Sequence, residues 1–409
     1  MHDVVVVGGG PAGCHAASLL GQRGFDVHLL EEHETIGEPV DCSGVIGFEA
    51  FEALGLPARL KLGEIRTLTL VSPSELEVRF SPPSPLACVV NRGAFDRALA
   101  AQTRSAGVTF HLGTKVADLR LQDGCVEILF KRASGSDRCG SKTGQSPGVA
   151  HLSKSPQGKI KARMAILAGG PRYGLQRRLG MGRPADFLKT AQTEAKIQGF
   201  DEARVFMGSR VAPGSFAWIV PFQKSNSSFA RIGVSAKVAP LRFLRDLLAR
   251  LRSRGHLDCL DIPIRSWVIP VRPLRRTYAE RVLAVGDAAG QTKPTTGGGI
   301  VYALLSAEAA AETAAAAFER GDFSAAMMRT YQHKWRKRLG REIRIGAFFR
   351  RLAERLTDQE IDDLFRIVLS DGVLRAVTTR ARFDWHRDVI SFALRHPALG
   401  RIFLRGLFR

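Results

Sequence analysis

The segment "HDVVVVGGGPAGCHAASLLGQRGFDVHLLEEH", residues 2–33, constrains the fold more than any other part of the chain. Val4 to Val7 form a short continuous apolar run, as a strand buried on both faces requires. The turn that follows carries Gly8, Gly10 and Gly13 in G-x-G-x-x-G spacing. Gly8 permits the tight turn, Gly10 lets a pyrophosphate approach the backbone, and Gly13 lets the next helix pack on the strand. The N-terminus of that helix faces the phosphates. Asp26 to Leu30 reads as a second strand that ends at Glu31, an acid suited to a ribose 2′-hydroxyl; Glu32 is its nearest competitor. Strand, turn, helix, strand and acid in this order predict a dinucleotide site.

Composition narrows the rest. The net charge of +21 predicts an anionic partner surface, either lipid or a phosphorylated substrate. Basic residues spread over an enzyme fold are not a nucleic-acid motif, so no nucleic acid is expected. The six cysteines (14, 42, 88, 125, 139, 259) form no CxxC pair and no metal spacing, which predicts a reducing compartment and no metal site. A first strand at Asp3 leaves no room for a signal peptide. No uncharged apolar run reaches the ~18 residues of a spanning helix, and the alanine-rich stretch after Gly299 is broken by Glu308 and Glu312.

A second stretch, "RVLAVGDAAGQTKPTTGGGIVYALLSAEAAAE" (Arg281 to Glu312), decides which dinucleotide. Val282 to Val285 is another buried strand, closed by Gly286 and Asp287. The Asp287 carboxylate suits a ribityl hydroxyl or a phosphate. Pro294 and Gly297 to Gly299 lead into a long helix whose first N–H groups can bond the electron-rich edge of a flavin. Paired with the glycine turn, this stretch resembles the flavoproteins that include aromatic hydroxylases, flavin-dependent halogenases and geranylgeranyl reductases, over residues 1 to about 330. The resemblance implies FAD as cofactor. It also implies an α/β fold, with a Rossmann-like FAD-binding domain interleaved with an antiparallel β-sheet substrate domain, followed by a helical C-terminal region. The expected boundaries are 1–66, 89–180 and 270–330 for the first, 67–88 and 181–269 for the second, and 331–409 for the third.

The same resemblance assigns individual residues. Arg92, at the turn in "VVNRGAFDRALA", matches a flavin-contacting Arg, and Val116 matches a strand residue against the adenine. Gly169 stands where the hydroxylases hold an Asp that serves the visiting nicotinamide. The electron donor is therefore left open between NADPH and ferredoxin, with Arg172 available for a phosphate. "FAWIVP" (Phe216 to Pro221) resembles an aromatic-x-Trp-x-x-Pro box of reductases and halogenases and places Trp218 on the substrate cavity; on packing grounds alone a core Trp reads equally well. In "GEPVDCSGVIG" (Gly37 to Gly47), Pro39, Cys42 and Gly44 match a P-x-x-C-x-G pattern of the geranylgeranyl reductases, whereas alone Cys42 reads as a small buried hydrophobe. The expected cofactor contacts are Gly8, Gly10, Ala12, Gly13, Glu31, Cys42, Ser43, Val45, Arg92, Val116, Asp287, Gly299 and Ile300, with Cys42 and Trp218 at the reacting centre.

The implied activity is reduction of isolated C=C bonds in a geranylgeranyl-type lipid chain; the alternative is an FAD-dependent monooxygenase or halogenase on a hydrophobic substrate. A quinone-linked electron-transfer flavoprotein would add a cysteine cluster, and Cys259 is the last cysteine. Residues 131–163, rich in Ser, Gly and Lys, read as an extended hairpin tip or a flexible insertion. From Tyr331 onward, eighteen Lys/Arg stand against nine Asp/Glu. Ile345, Phe348, Phe349, Leu352 and Leu356 recur at helical spacing among Arg350, Arg351 and Arg355. Arg401, Arg405 and Arg409 run beside Leu399, Ile402, Phe403 and Leu407. Such a tail reads as a helical cap or as a membrane-surface element. The expected location is cytoplasmic, peripheral at the inner face of the membrane.

Overall fold

The computed structural model describes residues 1–40, 42–132, 157–370 and 372–405. The first strand, His2–Val7, lies in an eight-stranded sheet and pairs in parallel with Val27–Leu30 and Gly158–Leu167. Gly158–Leu167 in turn pairs in parallel with Val282–Ala284. Strands buried on both faces need apolar residues throughout, and Val4, Val5, Val6, Ile166 and Val282 are fully inaccessible. The start of Gly158–Leu167 has a second task. It pairs antiparallel with Cys125–Arg132, the second arm of a hairpin that turns after Gln122. Residues 131–132 and 158–163 thus belong to the paired strands, in line with the hairpin alternative, while Cys139 and the rest of 133–156 lie outside the described residues.

A seven-stranded sheet stands against this layer. Its order is Arg265–Pro270, Phe187–Lys196, Ser227–Ala236, Phe216–Lys224, Ala203–Met207, Leu68–Val71, Glu77–Phe80. All its pairings are antiparallel except Ala203–Met207 with Leu68–Val71, which run parallel. Side chains alternate across the sheet. Ala217, Ile219, Ile232 and Val234 pack with Leu244, Leu247, Leu248 and Leu251 of the helix Pro240–Ser253. The opposite set, including Phe216, Trp218 and Val220, faces a cavity.

Between the two layers sits a three-stranded sheet of Val45–Gly47, Ala87–Val90 and Lys61–Ile65. The long helix Ile300–Arg320 is apolar and long enough to cross a membrane by length and composition. It is instead a core helix. Its buried Ala303, Ala307, Ala310 and Ala314 share one cluster with Ala12, Ala16 and Ala17 of the helix Pro11–Gly21, and side chains this small let two helices approach closely.

Among the described residues the tail forms five helices, Ala325–Ala353, Asp358–Leu369, Val373–Arg380, Arg387–Arg395 and Pro397–Arg405. The first is locked into the nucleotide layer. The Tyr331 hydroxyl donates to the Ala284 carbonyl at 2.7 Å, and Trp335 Nε1 donates to Thr277 Oγ1 at 2.9 Å. The second reaches the broad sheet, where Asp362 accepts from Ser72 Oγ at 2.5 Å and from the Ser74 N–H at 3.1 Å. Leu399, Ile402 and Phe403, the apolar side of the terminal stripe, are buried, with Phe403 5.1 Å from Phe349 ring to ring. Leu407 and Arg409 lie outside the described residues.

Candidate active site

One cavity of ~730 Å3 runs from the glycine turn to the cavity-facing side of the broad sheet. Its walls bring together Gly8, Gly10, Ala12, Glu31, Cys42, Ser43, Val45, Arg92, Val116, Trp218, Asp287, Gly299 and Ile300. These residues come from segments hundreds of positions apart. Gly13 is the exception. A Cβ there would lie 1.9 Å from the Gly8 carbonyl oxygen, so its missing side chain serves the contact between turn and helix rather than a ligand.

The phosphate end is built for backbone approach. Gly8 takes φ +108°, and a Cβ on it would strike the Ala168 carbonyl. A Cβ on Gly10 would meet nothing within 4 Å; it would project into the cavity at the start of the helix Pro11–Gly21, whose first N–H groups have no intrahelical acceptor. Glu31 ties the turn to the second strand: Oε2 accepts from the Gly9 N–H at 2.6 Å and Oε1 from the His33 N–H at 3.0 Å. Glu32 also lines the cavity, but it is paired with Lys115 at 3.1 Å and with Arg172. Burial opposes its charge, and Arg172 and then Lys115 hold its carboxyl below the usual carboxylate range. Arg172, expected to be available for a phosphate, pairs with Glu32.

Asp287 lies on the turn Gly286–Ala289, which is held from behind by Tyr173 Oη donating to the Asp287 carbonyl at 2.8 Å and Gln176 Nε2 to the Ala288 carbonyl at 3.0 Å. Among the described residues, the Asp287 carboxylate has no hydrogen-bond donor. Burial pushes its pKa up to about 6 against the pull of Arg92. Arg92 donates through Nη2 to Asp96 at 2.7 Å and 2.5 Å. Burial disfavours the guanidinium, and Asp96 and then Cys42 overcome this and raise its pKa. Arg92 Nε, Gln176 Oε1 and Trp218 Nε1 are buried without a hydrogen-bond partner among the described residues. An open glycine cradle and an unpartnered carboxylate in one cavity fit FAD, whose phosphates and ribityl hydroxyls need such partners.

The Cys42 loop crosses the junction between this polar end and the sheet. Cys42 is half-buried, and its Sγ accepts the Gly44 N–H at 3.4 Å. A residue that sequence reading missed fixes the loop. Arg231, 6% exposed, donates through Nη1 to the Ser43 carbonyl at 2.5 Å and to the Val90 carbonyl at 3.0 Å. Burial pulls its pKa down, partly offset by Glu194. The available signal was an Arg at a cavity-side position of the strand "FARIGVSA". Gly233 was missed too. It pairs with Trp218 across the strands, and a Cβ on it would lie 2.1 Å from the indole. The bare glycine therefore seats the ring flat against the sheet.

The comparisons agree with this architecture. A family model described as FAD binding domain matches residues 1–138, and one described as lycopene cyclase protein matches residues 145–369, more than half of the chain. Two archaeal relatives are named digeranylgeranylglycerophospholipid reductase. The protein of Methanothermobacter thermautotrophicus is 29% identical over 375 residues, covering 89% of this chain and 91% of its own. That of Methanocaldococcus jannaschii is 27% identical over 375 residues, covering 89% and 90%. The chain belongs to the geranylgeranyl reductase family of FAD-dependent oxidoreductases. A solved structure from Thermoplasma acidophilum, described as geranylgeranyl bacteriochlorophyll reductase-like, shares the fold with a TM-score of 0.81 at 20% identity, covering 99% of each chain.

In this family member FAD affinity should depend on pH with a definite sign. A carboxylate accepts a hydroxyl hydrogen bond best when ionised, so a cofactor hydroxyl on Asp287 would pull its pKa down from about 6 and release a proton. Affinity should rise with pH through 6 and then level off. If the bound group returns to an ordinary value, the gain is roughly a hundredfold. Without cofactor the sign reverses for stability: this raised carboxyl contributes fully below its unfolded value, and the contribution is lost as pH passes 6. Flavin release followed by fluorescence between pH 4.5 and 8 checks the first statement, thermal unfolding of the apoprotein over the same range checks the second, and Asp287→Asn should flatten both profiles.

Proposed function

We propose that the protein reduces isolated C=C bonds of a geranylgeranyl-type lipid chain. The observation that carries this reading is the continuity of the cavity. Its far end is lined by Leu188, Val205, Phe216, Trp218, Val220 and Ile269, a surface suited to an apolar chain with no carbonyl to bind. The names of the archaeal relatives point the same way.

When bound and reduced, FAD supplies a hydride. The chain's own residues have three other tasks. They must hold the chain against the site, exclude water, and deliver a proton to the second carbon of the double bond. The apolar wall does the first two. Cys42 Sγ is the proton-bearing atom we assign to the third, with Arg231 and Gly44 fixing the loop that presents it. Trp218 is the wall residue assigned to the reacting centre. The electron donor is left open, NADPH and ferredoxin being the two candidates.

The test is anaerobic incubation of dithionite-reduced protein with geranylgeranyl diphosphate, read by mass. Gains of two mass units per double bond are expected. Oxygen-dependent turnover with fast NAD(P)H oxidation and no saturated product would favour a monooxygenase or halogenase instead.

We also propose peripheral attachment to the inner, cytoplasmic face of an anionic membrane. Phe348 and Leu404 are 38% and 54% exposed, and Arg344, Arg351, Arg401 and Arg405 on the same helices are exposed as well. Vesicles containing anionic lipid should sediment the protein at low salt and release it at high salt, because the attraction is screened. Equal binding to neutral vesicles at every salt concentration would refute the electrostatic part.

A further inference from the structure

Among the described residues that line the cavity, Phe383 is the single contribution of the tail. It lies in the short link between the helices Val373–Arg380 and Arg387–Arg395. Its ring joins the apolar cluster of Val45, Leu68, Leu86, Trp218 and Val220, the side that the prenyl reading gives to the substrate.

The link is fastened with unusual care. Lys293, 3% exposed, also lines the cavity. Its ammonium donates to Asp384 Oδ1 at 2.7 Å and to the Phe383 carbonyl at 3.1 Å, and stands 4.5 Å from the centre of the Phe383 ring. Asp384 is itself buried, and its Oδ2 occupies the space where a side chain on Gly47 would begin. His386 hydrogen-bonds with Thr295 Oγ1 at 2.6 Å and with the Phe383 carbonyl at 2.9 Å. Burial and then the Lys293 charge push its pKa down to about 4, so at neutral pH Nε2–H donates to the carbonyl and Nδ1 accepts from the threonine. Glu342 Oε2 accepts the N–H groups of His386 at 3.1 Å and Arg387 at 3.0 Å. A surface cap needs none of this. A buried ion pair is a poor source of stability and a good way to fix one arrangement.

We propose that Phe383 is a specificity-determining wall of the cavity, and that Lys293 and Asp384 are positioning residues that hold it there. The ring limits how much of a prenyl chain the site accepts, and so which double bonds are reached. This rests on the prenyl-reductase reading, and the test separates the two.

In Phe383→Ala, FAD should stay bound in full while its fluorescence becomes about twofold more quenchable by iodide, because part of the wall that screens the site is gone. With geranylgeranyl diphosphate, the distribution of partly saturated products should differ from wild type. Lys293→Met should reproduce that shift and raise KM by about tenfold with a smaller fall in kcat, as loss of substrate binding along a displaced wall does. A wild-type product distribution in both variants would overturn the specificity role, and wild-type quenching in Phe383→Ala would overturn its place in the wall. If the wild-type protein reduces no prenyl substrate, the functional reading fails, and the quenching comparison still decides the wall. Should Phe383→Ala not fold, Phe383→Leu carries the same comparison with a smaller expected change.

Discussion

Gly10→Val should give a folded protein without flavin. Gly10 has φ −73°, which any residue adopts, and a Cβ there touches nothing within 4 Å. Backbone strain and packing therefore leave the fold intact. The isopropyl group instead occupies the space through which a pyrophosphate would approach the helix N-terminus, and loss of that contact should cost FAD affinity by about a thousandfold or more. The neighbouring glycine gives the contrast. Gly13→Ala places its methyl 1.9 Å from the Gly8 carbonyl oxygen, an overlap with backbone that costs about 1–3 kcal/mol or more in stability. Flavin absorbance per chain and thermal unfolding, measured on both variants, should separate the two. Gly10→Val loses colour with the melting temperature of wild-type apoprotein, while Gly13→Ala loses stability. A yellow Gly10→Val protein would mean that the phosphates do not use this turn.

These two glycines show what a sequence discloses readily. The dinucleotide half is local: strand, turn, helix and acid follow one another within thirty-odd residues, and the spacing carries the geometry. The turn at Asp287 is legible for the same reason. The broad sheet could be read as alternating strands, but not the parallel join of Ala203–Met207 to Leu68–Val71, which links segments over a hundred residues apart. The three-stranded sheet is assembled from strands of three to five residues within 45–90, too short for any of them to carry a period of its own. The tail illustrates a different obstacle. An amphipathic stripe with arginines serves lipid or protein equally well, and burial of Leu399, Ile402 and Phe403 is decided by what they meet. Lys293 and Asp384 lie 91 positions apart, each unremarked in its own stretch. Arg231 and Gly233 sit in a strand that looked like ordinary sheet. Their roles exist only because the Cys42 loop and Trp218 fold onto them.

Cys42→Ser and Cys42→Ala should both retain FAD, because the glycine turn, Glu31 and Asp287 belong to other segments. The loop itself should persist, since Arg231 holds it through the Ser43 carbonyl rather than through the thiol. What changes is the chemistry offered to the alkene. Serine keeps nearly the same volume but replaces the thiol with a weaker acid, and alanine removes the proton altogether. If Sγ delivers the proton, both variants should slow prenyl saturation by about a hundredfold or more, the usual size of a lost general acid. The rate at which dithionite reduces the bound flavin should not move. If Cys42 only shapes the cavity, the loss should be mild, within about tenfold, and the number of saturated bonds should shift instead. The pair of variants distinguishes these outcomes because serine preserves shape and alanine does not: a chemical role makes the two equally slow, and a steric role leaves serine close to wild type. Full activity of Cys42→Ala on geranylgeranyl diphosphate would remove the acid role and leave the thiol as packing at the mouth of the flavin site.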